Sequence, residues 1–339
     1  MKIAVVGCGA VGSFYGAKLA RAGEEVHFLL RTDYDVVLRQ GVRIRSPQGD
    51  FHVQPRCARS PEAIGPSDLV LIGLKTTANN QFAKLLPPLV APGTAVVTLQ
   101  NGLGNEESLA RLFAVEQILG GLCFVCLNRL EPGLIQHLAH GHVVLGEFRR
   151  RPEPRTHRLA GLFVQGGVPC SVTEELERAH WEKLTWNIPF NGLGVAGAAG
   201  YDTLAAPHST LDPSSVAALR RVDTRHLLGP CLTTDMLLAD ARWEQLVREL
   251  MQEVIAIARA LGFELPYSLA DEQIARTRTM GAYRASTLID FGRGQPLEIR
   301  SLFLEPLRQA QKVGVPVPRL EALCGVLRQL DPGARAGAG

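Results

Sequence analysis

No apolar run in the 339 residues reaches the length a membrane-crossing helix needs, and charge of one sign does not accumulate. Lysine and arginine number 36 against 33 acidic residues, and the basic ones are scattered apart from the short run Arg149-Arg150-Arg151. A nucleic-acid surface would need a basic stripe, and none is present. The cysteines number seven and are irregularly spaced, which argues against a disulfide framework and for reduced thiols in a cytoplasm. Internal repeats are missing. The chain opens directly on a strand pattern, so no signal peptide is expected. What is present is a 46% hydrophobic composition in a chain too long for one typical core, so two domains are expected in a soluble globular protein.

Lys2 to Val6 reads as a buried parallel strand. It runs into Gly7-Cys8-Gly9-Ala10-Val11-Gly12 and then a helical pattern, Ser13 to Ala22, closed by Gly23. This is G-x-G-x-x-G between a strand and a helix, the context in which that pattern binds a dinucleotide. Gly7 serves the tight turn, Gly9 the approach of a pyrophosphate and Gly12 close helix–strand packing. The helix N-terminus supplies free N–H groups to the phosphates. The second strand, Glu25 to Leu30, ends at Arg31, where an NAD site usually places an acid; an arginine suits the 2′-phosphate of NADP. The alternative is a surface arginine, with Asp33 holding the ribose.

Further strands run from Leu69 to Leu74, ending at Lys75, and from Ala95 to Leu99, ending at Gln100-Asn101-Gly102. Ligands of open α/β sheets sit beyond the carboxyl ends of strands, so Lys75 and Asn101 fall near the cofactor. A helix from Asn105 to Phe113 precedes a strand from Gly120 to Leu127. Cys123 and Cys126 lie inside that apolar run and read as core residues rather than a redox pair. Leu134 to Glu147 reads as two short strands around a turn. Its His137, His140 and His142 lack a companion cysteine or acid at metal-ligand spacing, so no metal site is expected.

Past about Cys170 the period becomes helical. The expected organisation is an N-terminal Rossmann-type domain with a doubly wound parallel sheet over 1–172, and an all-helical domain over 173–330 with a probable insertion at 194–230. A frayed tail over 331–339 completes it. The segment 194–230 is rich in Gly, Ala, Ser and Pro, with one short helix read around Val216 to Leu228, and its expected place is the surface, away from the chemistry. In the opening helix, read from Glu174 to Trp186, Lys183 is followed by Asn187 and Asn191 at spacings of four. One ammonium and two carboxamides on one face can donate a proton and hydrogen-bond a small polar ligand. A solvated stripe is the plainer alternative. Pro189 predicts a kink near Asn191. Ser286 and Glu298 can reach the same site, or act locally as a helix cap and a first-turn acid.

These pieces together resemble the ketopantoate reductase (2-dehydropantoate 2-reductase) family over nearly the whole chain. The motifs that carry the resemblance are Gly7 to Gly12, Gln100 to Asn105, Trp-x-Lys-Leu-x-x-Asn-x-x-x-Asn from Trp181 to Asn191, and Tyr283 to Asp290 followed by Glu298. The resemblance implies NADPH-dependent reduction of a 2-oxo acid to a 2-hydroxy acid. It implies Lys183 as proton donor and Glu298 as an active-site acid touching substrate or cofactor. Asn187, Asn191, Ser286 and Asn101 would contact substrate; Arg31, Lys75 and Asn101 join the glycine loop, including Cys8, Ala10 and Val11, around the cofactor. Three departures stand out: Arg300 and Leu304 where the family usually has aspartate and glycine, Gly192 where proline is common, and the length of 194–230. The partner implied is a small-molecule 2-oxo acid, with no nucleic acid or membrane; oligomeric state is not fixed, and a homodimer is carried forward. Ketopantoate, another branched 2-oxo acid, an imine or sugar-phosphate substrate, and a non-catalytic NADP sensor remain as readings at this point.

Overall fold

The computed structural model describes residues 1–205 and 229–333, which divide into two compact units with the boundary between Ala179 and His180. The helix read around Val216 to Leu228 and positions 334–339 of the expected tail lie outside the described residues. No helix among those described is long and apolar enough to cross a membrane.

The first unit is built on one sheet of ten strands: β1 (Lys2–Val6), β2 (Glu25–Leu29), β3 (Val42–Arg45), β4 (Phe51–Val53), β5 (Arg56–Ala58), β6 (Leu69–Ile72), β7 (Ala95–Thr98), β8 (Ile118–Glu131), β9 (Leu134–Glu147) and β10 (Cys170–Val172). Their order is β4-β3-β9-β8-β7-β6-β1-β2-β5, with β10 paired to β9. From β5 to β8 every neighbour is parallel. The sheet becomes mixed where β9 runs antiparallel to β8 and β4 antiparallel to β3. Helices α1 (Ala10–Arg21), α2 (Tyr34–Gln40), α3 (Phe82–Leu85), α4 (Asn105–Leu109) and α5 (Pro154–Gln165) complete the unit. Ile3 and Val5 pack with Phe14, Leu19 and Phe163 in one core, whereas Ala4 and Val6 join Phe82, Leu86 and Leu109 in another. Alternate side chains of one strand therefore enter different cores, which is why the strand is apolar from Ile3 to Val6.

Leu134 to Glu147 is a single strand, not two strands around a turn. Phe124 faces His142 while Val125 faces His140, so Gly141 is an extra residue in β9. His140 takes φ of 65° and Gly141 of 123°, the backbone of a β-bulge. The chain reverses instead at Pro132-Gly133. Two of the three histidine rings are engaged by hydrogen bonds: His137 with the Ser46 hydroxyl (2.9 Å) and the His140 carbonyl (3.1 Å), and His142 with Ser171 (2.9 Å).

All described elements of the second unit are helical. Helix Ala241–Ala260 packs on helices Thr234–Ala239, Leu269–Arg278, Glu305–Val313 and Pro318–Leu330 through Trp243, Leu246, Leu250, Val254 and Ile257, a stripe at helical spacing. Asp240 caps its start by accepting from the Arg242 amide at 2.8 Å. The helix bearing Lys183, α6 (Leu176–Ala196), outruns the sequence reading by ten residues. It continues through Pro189, which deprives the Thr185 carbonyl of its helical donor. Packing of the fully buried Ile188, Phe190, Leu193 and Val195 offsets that loss.

The opening of the segment read as an insertion is also corrected. Gly194 to Ala196 belong to α6, and 197–199 and 202–205 form helical turns. Their small residues reflect close packing rather than a loop. A Cβ on Gly192 would stand 2.5 Å from Leu323 and 2.9 Å from Phe303, and one on Gly194 would stand 3.0 Å from the Leu232 carbonyl. The chain returns alongside, with the Gly229 amide donating to Ala198 (2.8 Å) and the Leu232 amide to Gly194 (2.9 Å).

Candidate active site

In the first unit the glycine loop joins β1 to α1. Gly7 has φ of 94°, and a Cβ there would collide with the backbone of Gly73 and Leu74. A Cβ on Gly12 would collide with the Gly7 carbonyl, so the helix sits against the strand end only because both are glycine. Gly9 differs: its Cβ would meet nothing within 4 Å. Space over Gly9 is thus open to a ligand, while Gly7 and Gly12 serve packing. No side chain caps α1 and its first turn carries no acid, which leaves the N-terminal N–H groups and the positive dipole end for an anion. Cys8 points inward, its thiol against the carbonyls of Val5 (3.5 Å) and Leu29 (3.6 Å), and burial pushes it well above the usual thiol range. Ser13 fixes the loop by donating to the Cys8 carbonyl at 2.9 Å. These features fit a dinucleotide pyrophosphate.

Beyond β6 and β7 lies a chain of amides that the sequence reading missed. Thr98 donates to Gln100 (3.0 Å), Gln100 to Asn79 (2.8 Å) and Asn79 to Asn105 (2.9 Å). The fully buried Asn105 donates in turn to the carbonyls of Asn101 (3.1 Å) and Gly102 (3.4 Å). Asn105 therefore pins the loop that presents Asn101, which is half-buried. Lys75 is exposed at the end of the segment that follows β6. Arg31 is exposed beyond β2, whereas Asp33 is buried. Both Asp33 oxygens lie 2.6 Å from Nη2 of Arg129, and Thr32 donates to one of them at 3.0 Å.

In the second unit α6 carries Lys183 half-buried, with Asn187 8% and Asn191 3% exposed. The stripe read as solvent-facing in the plainer alternative is thus largely enclosed. Asn191 and Ser286 come together: the Asn191 carboxamide oxygen accepts from the Ser286 hydroxyl (3.3 Å), the Thr287 amide (3.1 Å) and the Thr287 hydroxyl (2.9 Å). Asn191 thus caps helix Ser286–Gly292 from a distance, and its NH₂ group is the part left for a ligand. Ser286 is the first residue of that helix, not its cap. The approach to Ser286 is anchored at Trp186, which donates to Thr277 (2.9 Å) and lies against Tyr283, with ring centroids 6.1 Å apart. Glu298 is buried and stands two residues before a turn of π-helix, Arg300–Leu304, that the periodicity did not reveal. The wider turn needs one more residue than an α-turn, and such turns recur at functional sites.

Residues 3–150 match the family model described as Ketopantoate reductase PanE/ApbA, and residues 224–331 the model described as Ketopantoate reductase PanE/ApbA C terminal. A 2-dehydropantoate 2-reductase of Nostoc sp. is 36% identical over 342 residues, covering 99% of this chain and 97% of that protein. Among solved structures, a 2-dehydropantoate 2-reductase from Geobacter metallireducens superposes with a TM-score of 0.84 at 43% identity, covering 97% of this chain and 99% of the other. One from Methylococcus capsulatus gives 0.82 at 32%, covering 97% and 96%.

Proposed function

Since this chain belongs to the ketopantoate reductase family, we propose that it reduces 2-dehydropantoate to pantoate with NADPH, in the cytoplasm, as a step toward pantothenate and coenzyme A. The observation that carries the reading is the enclosed stripe of Lys183, Asn187 and Asn191, on a chain matched end to end by 2-dehydropantoate 2-reductases. A bound nicotinamide would supply hydride to the C2 carbonyl carbon. The chain's own part is to hold the oxo acid and deliver a proton. Lys183 gives its proton to the carbonyl oxygen as negative charge develops there, a role suited to a half-buried ammonium. Asn187 and the NH₂ of Asn191 orient the carbonyl and carboxylate, and Ser286, tied to Asn191, lies on the same side. Glu298 holds a hydroxyl of substrate or cofactor.

For the cofactor, the open space over Gly9 and the uncapped α1 support a dinucleotide, with Lys75 and Asn101 as further contacts. Exposed Arg31 supports NADPH over NADH, because the acid that would otherwise hold the ribose, Asp33, is already engaged by Arg129.

The test is oxidation of NADPH, followed at the nicotinamide absorbance, with 2-dehydropantoate beside a panel of other 2-oxo acids. Fast turnover confined to 2-dehydropantoate is expected. Turnover with another acid alone would keep the chemistry and change the substrate, and tight NADPH binding without turnover would favour a sensor. Lys183→Ala should lower turnover by roughly two to four powers of ten with NADPH binding unchanged. A loss below about threefold would remove Lys183 from the donor role.

A further inference from the structure

Asp33 stands at the start of α2, where its carbonyl accepts from the Val37 amide at 2.9 Å. An aspartate in that place ordinarily turns its carboxylate onto the first free amides of its own helix. Here the side chain makes no such bond. It is buried and turned to Arg129, which arrives from β8, 96 residues along the chain, and places Nη2 2.6 Å from each carboxylate oxygen. Two residues before Asp33 is the exposed Arg31. An acid beyond the second strand of such a sheet is the group that holds the two ribose hydroxyls of NAD, and its charge opposes a phosphate in that position. The site therefore carries the equipment for either cofactor, and a third residue determines which part of it faces the ligand.

We propose that Arg129 is a cofactor-specificity residue: by holding and neutralising Asp33, it keeps that carboxylate from the adenosine ribose and leaves Arg31 to receive a 2′-phosphate. The proposal rests on the NADPH reading and adds to it a residue that does not itself touch the cofactor. Removing Arg129 leaves the Asp33 carboxylate without its counter-ion near the ribose position. Its field then weakens binding of the 2′-phosphate, and its oxygens can accept from the 2′-hydroxyl of NADH.

The experiment is calorimetric binding of NADPH and of NADH to the full-length protein and to Arg129→Met, Asp33→Asn and the double variant, with catalytic rates as a second readout. In Arg129→Met the ratio of NADPH to NADH affinity should fall by about tenfold or more. The double variant, with both charges gone, should return to within about threefold of the parent. Asp33→Asn alone should leave NADH binding within about threefold, because a carboxylate already held by Arg129 contributes little to the ribose. A ratio unmoved in Arg129→Met, or no recovery in the double variant, overturns the proposal. If Arg129→Met melts below the assay temperature, Asp33→Asn decides: a tenfold or greater loss of NADH binding would mean that Asp33 holds the ribose in the parent. Failure of the underlying reading looks different, since the parent itself would then prefer NADH.

Discussion

Replacing Asn191 tests separately its support of the helical unit and the proposed contact with substrate, because the two ends of its carboxamide can be altered independently. The oxygen accepts from Ser286 and twice from Thr287, and both Asn191 and Thr287 are only 3% exposed. Asn191→Ala removes the acceptor and leaves the Thr287 amide buried without a partner, at a cost of about 1–3 kcal/mol. Loss of the cap on helix Ser286–Gly292 adds about 1 kcal/mol. The two Thr287 bonds are not independent, so about 2–4 kcal/mol in total is expected. At about 2–4 °C per kcal/mol for a unit of this size, the melting temperature should fall by roughly 4–16 °C. Asn191→Asp keeps the acceptor and puts a negative charge at a helix N-terminus, which is favourable, so its stability should stay within about 1 kcal/mol of the parent. It loses the NH₂ donor, however, and should raise KM for an anionic oxo acid by about tenfold or more. Thermal melts and steady-state kinetics on the two variants give the answer. An alanine variant within about 0.5 kcal/mol of the parent would refute the capping argument, and an aspartate variant with unchanged KM would remove the NH₂ from substrate binding.

Two further predictions use other parts of the chain. Gly9→Val should leave the melting temperature within about 2 °C, because its Cβ meets nothing, but should weaken NADPH binding at least about tenfold by filling the space over the loop; calorimetry checks it. Burial pushes Glu253 up to about 7, although the amides of Arg319 and Leu320 both donate to it at 2.9 Å. Folded Glu253 thus keeps its proton where the unfolded chain has lost it, so its contribution is complete below about pH 4.5 and is lost as pH rises through about 7. The loss is at most about 3 kcal/mol, and Glu253→Gln should flatten this part of the profile in urea titrations at stepped pH.

The glycine loop and the strands β1, β2, β6 and β7 were legible because each is a short apolar run with its turn chemistry adjacent. The stripe on α6 was legible for a similar reason, its spacing of four being local. Two stretches misled for one reason. The Gly141 bulge and the glycines at 194 and 197 look like punctuation, yet one is an extra residue inside a continuous strand and the others let neighbouring side chains pack closely. What the sequence could not disclose is pairing at a distance. Asn79 finds Gln100 and Asn105 only once β6 and β7 are side by side, and the Asp33–Arg129 pair needs β8 in place. No periodicity within a window of ten or twenty residues carries that information.

Arg300 and Leu304, the two places where the sequence departs from the family pattern beyond Glu298, are the first and last residues of the π-turn. An α-helix turns about 100° per residue, so a turn that takes in one extra residue resets the angular phase of everything after it. The buried Glu298 and the helix Glu305–Val313 are thereby indexed separately, the latter to its packing against Ala241–Ala260. Such a joint acts as a phase shifter. The outer positions of the turn can change in size or charge, as the exposed Arg300 illustrates, while the carboxylate upstream and the hydrophobic seam downstream each keep their own bearing.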